Sequence, residues 1–106
     1  MALKWPNKDP DEVLDYSVDW SRYLPSSVTI TAVTWYMDVN GTKTAWTSGS
    51  VLNGLQHVSS THTDSVCTIY LGNGDANTTY KITCAITTSD TLSTERVVQI
   101  KVRERY

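Results

Sequence analysis

Phenylalanine is absent from this sequence, no long apolar run interrupts it, and charged residues make up only 19%. Without Phe, the aromatic bulk falls to four Trp and six Tyr, each of which carries a polar handle. No window approaches the roughly 20 apolar residues of a membrane span, so a membrane helix is excluded. Residues 1–10 lack the apolar stretch of a signal peptide. The chain is therefore expected to be made in a cytoplasm and to leave it by lysis or inside an assembly. A net charge of −2 and a pI near 5.5 offer no basic face for tracking phosphates, which argues against nucleic acid as a partner. Internal repeats and low-complexity tracts are missing too.

Small hydroxyls fill much of the space instead. Of 106 residues, 16 are Thr and 11 are Ser. The branched Cβ of Thr suits a pleated surface, and Ser offers the backbone hydrogen bonds that compete with a helix. One domain fits this length and hides roughly two-thirds of its unfolded surface on folding. Residues 1–12, with Pro6 and Pro10, read as an N-terminal arm, and residues 13–106 as the domain. Leu14, Tyr16, Val18 and Trp20 alternate with Asp15, Ser17 and Asp19, the period of a half-buried strand. Strands are also predicted over 28–32 and 33–39, with a one-residue phase slip between them that marks a bulge or a crossing between sheets. The Asn40-Gly41 turn needs positive φ twice and leads into a strand over 42–47. Further strands are predicted over 66–71, 79–88 and 93–103, with a turn over 72–77. Residues 48–63 show no clear period and are expected to form loops and short edge strands. Asn40-Gly41-Thr42 and Asn77-Thr78-Thr79 match the glycosylation pattern but read as turns. About seven short strands and no helix make an all-β, two-sheet sandwich.

Charge sits at the ends. Residues 1–20 carry Asp9, Asp11, Glu12, Asp15 and Asp19 against Lys4 and Lys8, while residues 95–106 carry Arg96, Lys101, Arg103 and Arg105 against Glu95 and Glu104. Facing opposite charges favour pairing, so the first and last strands are expected to be neighbours.

Chemistry-bearing residues are few. Cys67 and Cys84 take like-facing positions on consecutive strands, so both are expected in the core, as free thiols in a reducing cytoplasm. A disulfide between them would need Cα atoms within about 7 Å. His57, His62 and Asp64 form a loose trio where zinc needs three or four ligands, and a solvated loop is the expectation. Asp9, Asp11, Glu12 and Asp15 offer carboxylates to calcium, yet the glycine-containing EF-hand spacing is missing. A solvated acidic face, or one paired with Lys101 and Arg103, is expected instead. No Gly-x-Ser-x-Gly elbow occurs, and no helix follows Gly72-Asn73-Gly74 to receive a phosphate. No enzyme activity, cofactor or metal is expected.

Leu71 followed by Tyr80, Ile82, Cys84 and Ile86 resembles the E–F corner of immunoglobulin and fibronectin-III sandwiches. That resemblance implies an Ig-like or fibronectin-III-like fold, a Tyr80 hydroxyl bonded back across the turn, and a buried central Trp35. Residues 3–20, from Leu3-Lys4-Trp5-Pro6 to Val18-Asp19-Trp20, resemble the opening of small proteins from the structural gene clusters of tailed bacteriophages. Residues 98–106, with Lys101-Val102-Arg103-Glu104-Arg105, resemble their ends.

This second resemblance implies a virion component made in the host cytoplasm, a capsid decoration or head-fibre subunit. Its partners would be the major capsid protein, other virion proteins or copies of itself, with a trimer as the implied oligomer. Trp5, Asp9, Asp11, Glu12, Lys101, Arg103 and Arg105 are the candidate interface residues, because Trp and Arg anchors dominate interface energetics. The alternative is a tail or adhesion module that stacks host-surface carbohydrate on Trp46, Tyr36 or Trp35.

Overall fold

Alternating side chains pull this chain into strands, and turn chemistry at Asn and Gly sets where each one stops. The computed structural model describes residues 3–4, 12–25 and 27–103, and no helix occurs among them. The strands are β1 (Leu3–Lys4), β2 (Leu14–Asp19), β3 (Ile30–Val39), β4 (Thr42–Ala45), β5 (Val51–Leu52), β6 (Leu55–His62), β7 (Val66–Asn73), β8 (Thr78–Thr88) and β9 (Ser93–Val102). They form two sheets, ordered β1-β9-β8-β3-β4 and β2-β7-β6-β5. Only β1 on β9 is parallel among these pairings. This is the two-sheet sandwich that the alternation predicts.

The core lies between the sheets. Tyr16 and Val18 of β2 are buried while Asp15, Ser17 and Asp19 are exposed, as the period of two requires. Ile69 and Leu71 of β7 meet Ile82 and Ile86 of β8 and Val98 and Ile100 of β9 in one apolar cluster. Each such aliphatic side chain, fully buried, contributes about 1.5–3 kcal/mol. Trp20, Trp35 and Trp46 are buried in the same cluster.

The phase slip near residue 32 is a bulge within β3, where the register on β8 shifts between Ile30 and Ala32. Asn40 and Gly41 both have positive φ, at 53° and 85°, and close the β3–β4 hairpin. Residues 48–63 depart from expectation, since β6 is a full eight-residue strand there. Its period is hidden because the register on β7 shifts between His57 and Ser59, and because polar His57 takes an inward position. His57 is therefore buried in a strand and not part of a solvated loop.

The predicted first strand, β2, does not neighbour the last; β9 is flanked instead by the two-residue β1 from the predicted arm, with Leu3 opposite Val98 and Lys4 opposite Gln99. The acidic residues of β2 lie in the other sheet, so no acid–base ladder makes that pairing. Instead, Glu95 of β9 pairs with Lys43 of β4 at 2.9 Å.

The two ends of the sandwich differ. At one, the β2–β3 loop is tied to the β8–β9 turn, with Ser89 N–H donating to the Thr29 carbonyl at 2.8 Å and Thr29 N–H to Ser89 Oγ at 3.1 Å. At the other, the β5–β6 and β7–β8 turns meet through Gly74 N–H on the Gly54 carbonyl at 2.9 Å. Gly74 has φ +109°, and a Cβ there would stand 2.9 Å from Val102 Cγ2, so the close approach of these turns to β9 requires glycine.

Candidate partner-binding surfaces

The interior spends its polar groups on structure. The Tyr80 hydroxyl accepts from Asp75 N–H at 2.9 Å and donates to the Asn53 carbonyl at 2.7 Å, so it bonds back across its turn as the corner resemblance implies. Burial raises its pKa. His57 Nδ1 lies 2.8 Å from the Trp46 carbonyl, an acceptor, so Nδ1 carries the proton. Nε2 then accepts from Ser60 Oγ at 2.9 Å, and burial holds the ring's pKa down. His62 is exposed at the end of β6, so the sequence trio is not gathered around a common point.

Cys67 and Cys84 are both free and buried, and they face each other from opposite sheets. Hydrogen bonding to Cys67, reinforced by burial, pushes the Cys84 thiol well above its ordinary pKa. A protonated, enclosed thiol is a poor nucleophile. The buried Trp20 indole N–H has no hydrogen-bond partner among the described residues, and the Arg96 guanidinium covers the Trp20 ring at 4.8 Å from its centroid. The contact closes that flank of the core.

Of the predicted interface residues, Trp5, Asp9, Asp11 and Arg105 lie outside the described residues. Glu12, Lys101 and Arg103 come to the same end of the sandwich, because Leu14 pairs with Leu71 just before the β7–β8 turn and Val102 pairs with Thr78 just after it. Lys101 and Arg103 are exposed there, and Glu12 is half-buried.

The carbohydrate residues fare differently. Trp46 and Trp35 are buried in the core, so neither presents a ring to a sugar. Trp46 follows β4 but turns inward, its Nε1 donating to the Ser50 carbonyl at 3.1 Å and its ring meeting His57 edge-on. Tyr36 is half-buried on the outer face of the five-stranded sheet, with Lys43 Nζ 4.8 Å from its ring centroid.

The Lys43–Glu95 pair reaches across that outer face from the edge strand β4 to β9, and Thr83, on β8 between those strands, is buried on a surface that otherwise faces solvent. Open troughs lie beside it. One, of about 350 Å³, is lined by Thr34, Tyr36, Ala85 and Thr87; the second, of about 220 Å³, by Asp38, Lys81 and Val97. Open troughs lined by hydroxyls and small side chains suit a macromolecular surface better than an enclosed ligand.

A third groove, of about 330 Å³, lies at the loop-tied end between Tyr23, Leu24, Pro25, Val28 and Leu92. Tyr23 is 58% exposed and Leu92 64%. The turn that presents Leu92 is held by Thr88, whose hydroxyl donates to the Asp90 carboxylate and whose N–H donates to the Leu92 carbonyl at 2.9 Å, and by Thr91 at φ +65°. Apolar side chains held rigidly in solvent lower the ordering cost of binding a partner. Sequence reasoning placed no candidate site residue in either segment. The available signal was a large apolar residue inside each one.

The profile of a family described as "Podophage GP4 fiber-tail adaptor protein gp77" matches residues 8–101. No curated protein matches the sequence. The match spans every strand from β2 to β8 and nearly all of β9. This chain belongs to the Gp77 family of podophage GP4 fiber-tail adaptor proteins and is a structural protein of a phage virion.

Proposed function

We propose that this protein is an adaptor at the junction of fibre and tail, acting by non-covalent docking and not by catalysis. The family match over residues 8–101 carries this reading. The distribution of surface chemistry supports it. An adaptor must present separate surfaces to separate partners, and the sandwich has an apolar end at Tyr23 and Leu92 and a charged end at Glu12, Lys101 and Arg103. The apolar end is the anchor for one virion protein. The charged end, together with Trp5, Asp9, Asp11 and Arg105, engages the other. The family's description names fibre and tail, and it lends no support to a capsid-decoration role. Burial of Trp46 and Trp35 also weighs against sugar stacking by the indoles.

Electron cryomicroscopy of particles assembled without the protein tests the proposal. Filled heads with tails that lack fibres are expected. Particles that keep their fibres, or that lose only a component of the head shell, would refute it.

A further inference from the structure

The charges of this sandwich are sorted between its two sheets. Strands β2, β5, β6 and β7 contain no Lys or Arg, and Asp15 and Asp19 are their only carboxylates. The nearest cation along the chain is Arg22, in the loop that follows β2. The outer face of the other sheet carries Lys43, Lys81 and Lys101, with Arg103 just beyond β9, against Asp38 and Glu95.

Apolar exposure is sorted the same way. Of seven exposed large hydrophobic residues among the described ones, four (Val13, Val51, Val58 and Tyr70) belong to the outer face of the four-stranded sheet. That cluster is built by two local devices. The bulge in β6 turns Val58 outward, since the register passes from His57 to Ser59 without it. Gly72 leaves room between Val58 and Val13, whose methyls lie 3.1 and 3.6 Å from where a Cβ would be. The opposite sheet offers Val97 and Tyr36 among its cations. The four-stranded face is net acidic and the richer in exposed apolar side chains, while the five-stranded face is net basic.

We infer that the acidic, apolar face of the four-stranded sheet docks on the basic face of the five-stranded sheet of a second copy of this chain. The contact joins different surfaces, so it is head-to-tail and the pair keeps one free face of each kind, on which further copies can dock. Two copies meeting acidic face to acidic face would set carboxylates against one another, which charge complementarity disfavours. This inference stands apart from the adaptor reading, because it names no other virion protein.

Sedimentation of the purified chain over a concentration series, at low and at high salt, tests it. The wild type is expected to grow past the dimer as concentration rises, and less so at high salt. Asp15→Lys/Asp19→Lys and Lys81→Glu/Lys101→Glu are each expected to stay monomeric. An equimolar mixture of the two recovers assemblies larger than a dimer, because each variant then meets a complementary face. Asp15→Lys alone, which keeps the Asp19–Ser21 hydrogen bond, is expected to weaken assembly while unfolding at the wild-type temperature. A wild type that is monomeric throughout, variants that assemble like it, or a mixture that stops at a dimer would each overturn the inference.

Discussion

The Tyr80 hydroxyl donates to the Asn53 carbonyl at 2.7 Å, and in doing so joins a strand of one sheet to a turn of the other. The same oxygen accepts from Asp75 N–H. Removing it leaves one backbone donor and one acceptor without a partner in a half-buried corner. Tyr80→Phe is expected to lower unfolding free energy by about 1–3 kcal/mol. Urea denaturation that shows a lower midpoint at unchanged slope supports this, and an unchanged midpoint contradicts it.

Burial keeps the His57 imidazole neutral and holds its pKa below 6.5. The unfolded chain then takes up a proton at a pH where the native ring does not. This contribution to stability is complete above about pH 6.5 and is lost as pH falls through the native pKa. One proton sets the limit, about 1.4 kcal/mol per pH unit. His57→Asn keeps a donor for the Trp46 carbonyl and removes the titration. Its urea midpoint is expected to fall less between pH 7 and pH 5 than that of the wild type.

Alternation read most of this fold directly. Leu14 to Trp20 and Tyr80 to Ile86 follow a period of two without interruption, and each residue faces as the period says. β6 was hidden because a bulge at Val58 resets the parity and His57 occupies a core position that hydropathy counts as surface. Trp46 was misplaced for a related reason. It lies just past a short edge strand, where local sequence suggests exposure, and its inward turn depends on Ser50 and His57, contacts made by later residues. The exposed surfaces were the least legible part. Tyr23 and Leu92 sit in turns, and which turns share an end is fixed by strand order, which short-range pattern does not encode.

Gly74 has φ +109°, and β9 lies against it. Gly74→Ala adds backbone strain and a clash with Val102. A loss of more than about 1 kcal/mol is expected, because the native conformation is one that alanine does not readily adopt. Thermal unfolding checks it: a Tm equal to the wild type would contradict the close approach of the β7–β8 turn to β9.

Cys67 and Cys84 are enclosed, and Cys84 is held protonated. Iodoacetamide is expected to leave both thiols unmodified in the native protein at pH 8 and to modify both in denaturant. Mass spectrometry counts the adducts. Rapid labelling of the folded chain would show that the sheets part more readily than this core implies.

The adaptor account is tested most directly by replacing its apolar end in the assembled particle. Phage that lack the protein are complemented with Tyr23→Asp/Leu92→Asp, and fibres are counted on the tails by electron microscopy. The expected result is intact tails with few or no fibres, from a variant whose purified chain unfolds at the wild-type urea concentration. Fibres at wild-type occupancy would contradict docking through Tyr23 and Leu92.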